Sequence, residues 1–452
     1  MRSPDRAVWR RLFGKERREL ASSRAWAVLL VVLGPLVGHA FVTAVDSYAE
    51  ASGAGGGPAA LAQGLSPLDG IVVPVFGAYA IAGILLFPFV AIRLISSEKQ
   101  SGSLKLLLQS PPSLGTMVVV KLVVLIGAWI VAWIPGFAAL GLWRWYGGHL
   151  GAPEVASVLL GHLLRATFIC SLAIAAAALT DNAATAAVVT LAITLGTWAL
   201  DFIAQVRGGF ALTLDAFTPE SALRTFETGE IRLAIVLVTL ALSTGALLLA
   251  VIWLHPGRRR RLQVGTTALV MVATAVAAWG AAQPRLSWDV SEDRRNSFFA
   301  ADERALSLIR APLRVTVNLA PEDPRLADLE RGVLRKLRRT LPEVDVQYAA
   351  RGSTGLFARP GEHYGEVWYA IGGRQAMTRS TTEPIVLETV YGVAGITPPT
   401  NDAAATYSGY PLVARPFGAA IIFYLLWPCV ILAMWLWTRR PPRKPSLVGP
   451  KR

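Results

Sequence analysis

Ile95–Pro112 reads ISSEKQSGSLKLLLQSPP, a polar and amphipathic run between two long apolar segments, one ending near Leu94 and the next beginning near Met117. Two membrane helices need only a tight turn to reverse direction, so a connection of this length does more than reverse the chain. Glu98, Lys99 and Lys105 fall on one side, and Leu104, Leu106, Leu107 and Leu108 on the other. That division suits a helix lying at a membrane surface with its polar groups toward water or a partner. A docking element for a soluble protein has this composition.

The apolar segments around it set the fold class. The 452 residues are 53% hydrophobic and 16% charged, whereas soluble domains carry about 25% charged residues. The deficit places the bulk of the chain in lipid. Eight spans of about 20 residues, the length that crosses a ~30 Å hydrocarbon core, fall near 25–45, 71–94, 117–142, 156–179, 183–204, 231–254, 262–282 and 417–437. The expected fold is a polytopic α-helical membrane protein of about eight spans with one small α/β domain. Pro74 and Pro88 in the second span and Pro135 in the third predict kinks, since neighbouring groups in a bundle can satisfy the carbonyls that proline frees.

The net charge of +14 could indicate nucleic acid or anionic lipid, and its distribution decides. Basic residues bunch at Arg2–Arg24, Arg258–Arg261 and Arg439–Arg452, each beside an apolar span, while the loop at 46–70 has no Lys or Arg. This is the positive-inside pattern; it needs no nucleic acid and predicts both termini cytoplasmic in a cell (inner) membrane, with lipids as the neighbours of the chain. Eight basic residues precede a long first span, which is not the form of a secretory signal peptide. Residues 6–24 interleave Trp9, Leu12, Phe13 and Leu20 with Arg and Lys, predicting an interfacial helix beside anionic headgroups.

Residues 284–415 form the one sizeable polar section, extracytoplasmic by alternation of sides. Leu313–Leu319 and Val344–Tyr348 read as strands flanking a helix at 324–340, whose apolar positions Leu326, Leu329, Val333, Leu334 and Leu337 have helical spacing. Glu366–Ile371, Gly372-Gly373 and Gln375–Thr378 read as a hairpin, and Thr382–Gly392 as a closing helix. Arg335 and Arg338 are expected on the exposed face of their helix.

No chemistry of an enzyme is legible. Gly14-Lys15 lacks the upstream glycine and the following Ser/Thr of a phosphate loop. The five histidines have no partners at metal-ligand spacing, no G-x-S-x-G elbow occurs, and Cys170 and Cys429 both lie in apolar spans. Glu322-Asp323 reads as a solvated turn. Catalytic residues, metal and cofactor are therefore none. Within the spans, His162, Arg165 and Asp201 carry polar groups that cost several kcal/mol unless paired, hydrated or snorkelling. Arg165 and Asp201 lie at comparable depth on adjacent antiparallel spans, so either they pair or each reaches its own interface. Thr180-Asp181-Asn182 suits a tight turn and a helix cap.

The run Glu98-Lys99-Gln100-Ser101-Gly102-Ser103-Leu104, then Leu107-Leu108, Ser110-Pro111 and Lys121, resembles the first cytoplasmic loop of type-2 ABC permeases, and among them the gliding-motility and nitrous-oxide-reductase-associated subgroup. Ser103 stands where Thr is usual and Val120 where Gly is usual. The resemblance covers about residues 10–255. It implies an elbow helix over 1–24, a six-span permease domain over 25–255 and a surface or re-entrant helix within Phe217–Ile231. It also implies an ATPase-coupling loop comprising Glu98, Lys99, Gly102, Leu104, Leu107, Ser110 and Pro111. Ser287-Trp288-Asp289-Val290-Ser291-Glu292-Asp293-Arg294-Arg295-Asn296-Ser297 is similar to the opening of the gliding-motility-type ABC auxiliary domain. That implies an auxiliary domain at 284–415 between spans at 262–282 and 417–437, ahead of a basic tail at 438–452. The function implied is a permease subunit that forms a homodimer or heterodimer and couples to ATP hydrolysis on a separate ABC ATPase subunit. The rival reading is a membrane-anchored scaffold or sensor whose outer domain binds an envelope partner, although such a protein would not need six spans before its domain.

Overall fold

The computed structural model describes residues 4–54, 64–104, 113–207, 218–255, 257, 259–320, 323–349, 363–399 and 407–438. Among them, seven helical stretches are long and apolar enough to cross a membrane: Arg24–Ala54, Leu68–Gln100, Leu114–Trp145, Ala152–Leu179, Ala183–Leu200, Leu233–Leu254 and Arg260–Ala281. The chain is thus a multi-pass helical membrane protein. The eighth expected span is helical but shorter, with an apolar stretch of Ile421–Trp437, at the lower limit of what crosses a bilayer.

The first half runs as α1 (Pro4–Ala21), α2 (Arg24–Ala49), α3 (Val73–Leu85), α4 (Phe87–Gln100), α5 (Leu114–Ala132), α6 (Ile134–Trp145), α7 (Ala152–Leu179) and α8 (Ala183–Arg207). The second and third spans are each two helices, α3–α4 and α5–α6, broken beside Pro88 and Pro135. A proline ring blocks the preceding turn and removes a donor. At the second break one side chain replaces the lost helix bond. The Tyr79 hydroxyl donates to the Ala132 carbonyl at 3.1 Å and accepts from the Gly136 amide at 2.8 Å. α9 (Pro219–Glu227) leads into β1 (Glu230–Arg232), then α10 (Leu233–Leu254) and α11 (Arg260–Ala281). α10 packs on α7 and α11 packs on α10. Only Ala278 of α11 is buried.

β2 (Ser287–Asp289) pairs antiparallel with β1, so a two-stranded ribbon ties the polar section to the bundle. Next come α12 (Ala300–Leu306), β3 (Leu313–Val317), α13 over 324–340, β4 (Val344–Tyr348), β5 (Val367–Ile371), β6 (Arg374–Thr378) and α14 (Glu383–Ala394). The sheet order is β4-β3-β5-β6, with β3 and β4 parallel and the other pairings antiparallel. Alternation buries Leu313, Val315, Val317, Val367 and Tyr369 on one face, under Leu329, Val333, Leu334 and Leu337 of α13 and Val386 and Val390 of α14. This core, running from Phe298 to Ile396, is separate from that of the membrane bundle.

The expected unit at 284–415 therefore ends early. Residues 407–417 lie on the bundle: Tyr410 donates its amide to the Leu65 carbonyl, the Tyr48 hydroxyl donates to the Tyr410 carbonyl, and the Tyr146 hydroxyl donates to the Phe417 carbonyl. The final helix, α15 over 421–438, packs along α2, whereas α11 packs on α10. Gly34 and Gly38 make that approach feasible, because a Cβ at either would lie within 2.3 Å of Trp427 or Phe423 side-chain atoms. Small residues four apart let membrane helices meet closely.

Candidate functional site

The expected coupling run does not begin as a surface helix. Ile95–Gln100 continues α4, and Ile95, Ser96 and Glu98 are buried. Glu98, expected to face water or a partner, is 2% exposed. The cause is a set of charges supplied by α1 and α5. Lys121 Nζ lies 2.8 Å from Glu16 Oε2, 3.0 Å from Glu98 Oε2 and 3.0 Å from the Leu94 carbonyl. Lys15 pairs with Glu98, with Glu16 at 3.2 Å and with Glu19 at 3.5 Å. Burial alone would lower the Lys15 ammonium; the hydrogen bond to Glu98 and the charges of Glu16 and Glu98 outweigh it and hold the group above its ordinary value. The Glu16, Glu19 and Glu98 carboxylates lie close enough together to suggest a metal site, but two ammonium groups already stand against the two buried carboxylates, and Glu19 is part-exposed. α1 is accordingly a packed element, with Leu12, Glu16 and Leu20 buried, and not simply a helix on lipid headgroups.

Lys99 does a different job at the same place. Its ammonium donates to the carbonyls of Ala177, Ala178 and Thr180, each at 2.8 Å. Those carbonyls belong to the end of α7, where a helix leaves acceptors unpaired and favours a cation. Gly102 follows with φ 71, a left-handed conformation that costs glycine little, and its surroundings are open. Leu104 packs at the edge of the bundle core. Lys105, Leu107, Ser110 and Pro111 lie outside the described residues. The junction thus joins α1, α4, α5 and α7 through charges read as a surface motif. Lys15 drew notice in the sequence only beside Gly14, and Glu16 none, because a Glu within a basic helix carries no mark of burial.

A second polar set lies in the bundle nearer the α/β domain. Arg165 is 4% exposed, donating to the Ala80 carbonyl at 3.1 Å and to Glu220 Oε1 at 2.5 Å. Its described carboxylate partner is thus Glu220 on α9; the side chain of Asp201, the expected partner, lies outside the described residues. α9 is started by Thr218, whose hydroxyl accepts from the Ser221 amide at 3.2 Å. Phe226 is wedged against Gly161, and the Ser157 hydroxyl donates to the Phe226 carbonyl at 2.9 Å. His162 is buried 3.9 Å from Glu227. Burial pushes the Glu227 carboxyl up to about 7 against the opposing pull of Arg165. The signal for Glu220 was present as Thr218-Pro219-Glu220, a helix cap followed by a first-turn carboxylate.

The Ser287–Ser297 motif folds around Asp289. Its carboxylate accepts from the Ser291 amide and hydroxyl, the Asn296 amide and the Ser297 hydroxyl at 2.5–3.1 Å. Burial would raise this acid, and the donors reverse that and hold it below its usual range. The rest of the motif reaches the bundle. Glu154 Oε1 accepts from the Glu292 amide at 2.8 Å, His149 lies 2.9 Å from Glu292, and Arg295 pairs with Asp69 at 2.6 Å. The Asn296 side chain donates to the Thr228 carbonyl at 2.7 Å. The motif is a clasp between two bodies. No family model, curated protein or solved structure matches this chain.

Proposed function

We propose that this chain is the permease subunit of an ABC transporter of the type-2 kind, working as a dimer with a separate ATPase pair in the cell (inner) membrane. Both termini are cytoplasmic, and the α/β domain stands outside, where it engages substrate or an envelope partner. The observation that carries this reading is the junction at the end of α4. Glu98 and Lys99 tie the start of the loop to α1, α5 and α7, so a push on that loop moves four elements together. Ion pairs that are buried and hydrogen-bonded are costly to break singly, which is the property a lever needs.

Ser101 tests the reading because it is exposed beyond the junction. Ser101→Trp should weaken co-purification with the cognate ATPase and leave the unfolding temperature unchanged. Ser101→Cys should react with an impermeant thiol reagent only after lysis, while Arg314→Cys on the α/β domain reacts in intact cells. Unchanged ATPase capture, or the reverse labelling pattern, defeats the proposal.

A further inference from the structure

A cleft of about 590 Å³ lies where the α/β domain meets the bundle. Its floor is Ala234, at the start of α10, and Ala282, just beyond α11, the ends of two membrane-crossing helices. Its roof is the last part of α13, which presents Arg335, Arg338 and Arg339. These positions are three and four apart, and so share one helix face. Arg285 from the linker and Arg232 from β1 face them across the cleft.

Five arginines thus line the space against two glutamates, Glu230 and Glu330. Glu230 is held by Arg232 at 2.7 and 2.8 Å, and Glu330 is shared between Arg338 at 3.3 Å and the Tyr348 hydroxyl. Arg339 in turn pairs with Glu303 from outside the lining, so five arginines meet three carboxylates and a positive surplus remains. Apolar surface adjoins the cleft through Leu286, which lines it, and through the α11 residues in the turns before Ala282. Leu286 is 58% exposed, and below it α11 exposes Val272, Val276 and Trp279 along its flank. Arginine forks match phosphate oxygens, and an aromatic at a helix end is the usual marker of the membrane–water boundary.

We propose that this cleft seats the phosphate headgroup of an anionic phospholipid, with its acyl chains lying along the exposed flank of α11. A water-soluble anion would use the arginines but not the flank, and a neutral lipid the flank but not the arginines.

The test uses the full chain, delipidated in a zwitterionic detergent, with phosphatidylglycerol and phosphatidylcholine titrated by native mass spectrometry. Phosphatidylglycerol should bind and phosphatidylcholine should not compete with it. The double variant Arg335→Ala/Arg338→Ala should lose about 30-fold in affinity for phosphatidylglycerol, and Arg338→Glu, on an exposed side chain, about 10-fold or more. Arg314→Ala, on the open face of the sheet, should change nothing. Equal affinity in wild type and both variants overturns the site. Phosphatidylcholine binding as tightly, or glycerol phosphate displacing the lipid at equal concentration, overturns the lipid assignment.

Discussion

The two ends of the helical bundle handle charge in opposite ways. At the α1 end, Glu16, Glu98 and Lys121 are each at most 4% exposed and meet one another directly. At the α/β end, the side chains of His149, Glu292, Arg295 and Asp69 are 23–56% exposed and pair across the gap between two bodies. Buried pairs are expensive to break one partner at a time, whereas solvated pairs contribute about 0–1 kcal/mol. The first end is a dry joint; at the second the ion pairs are a solvated latch laid over the β1–β2 ribbon.

The comparison breaks most readily at Lys121. Lys121→Met leaves three carboxylates, two of them buried, facing the one ammonium of Lys15, and should cost about 3–5 kcal/mol, seen as a large fall in unfolding temperature and folded yield. Adding Glu16→Gln removes one stranded charge and should recover most of the loss. Simple additivity of the two losses would mean that the cluster is not a dry joint.

The Arg165 set lies between the two extremes. Glu220→Gln should lower stability by about 2–4 kcal/mol, seen as a reduced folded yield, because a buried guanidinium loses its carboxylate. A double-mutant cycle between Arg165 and Glu220 should show coupling, and a larger one than the cycle between Arg165 and Asp201. The reverse ranking would return the pair to the two adjacent spans.

The smallest effect belongs to the latch. Glu292→Gln and Arg295→Ala should each cost about 1 kcal/mol or less and leave both cores folded. They should speed amide exchange in β1 and β2, measured by mass spectrometry. A loss as large as that of Lys121→Met would erase the distinction between the ends.

Some of this was legible because it is local. The helices of the bundle follow from apolar runs, the two breaks follow from Pro88 and Pro135, and Leu334 announces its burial by helical spacing. The role of Lys99 was not legible: it read as part of a polar loop, and that its ammonium caps α7 depends on where α4 ends. The polar run after Leu94 misleads about Glu98: the letters suit a wet loop, and only the approach of α1 makes the position dry.

By itself the sequence determined that this chain lies in a membrane and carries one α/β unit, because hydrophobic burial over a ~30 Å slab and strand alternation are written residue by residue. The tertiary structure decided which charges meet. Lys121 finds Glu16 across 105 positions, and Arg165 finds Glu220 across 55. It also decided that 407–417 and α15 belong to the bundle rather than to the domain before them. A charge out of water must be matched by whatever the fold brings within hydrogen-bond reach, and no local pattern of residues names that partner.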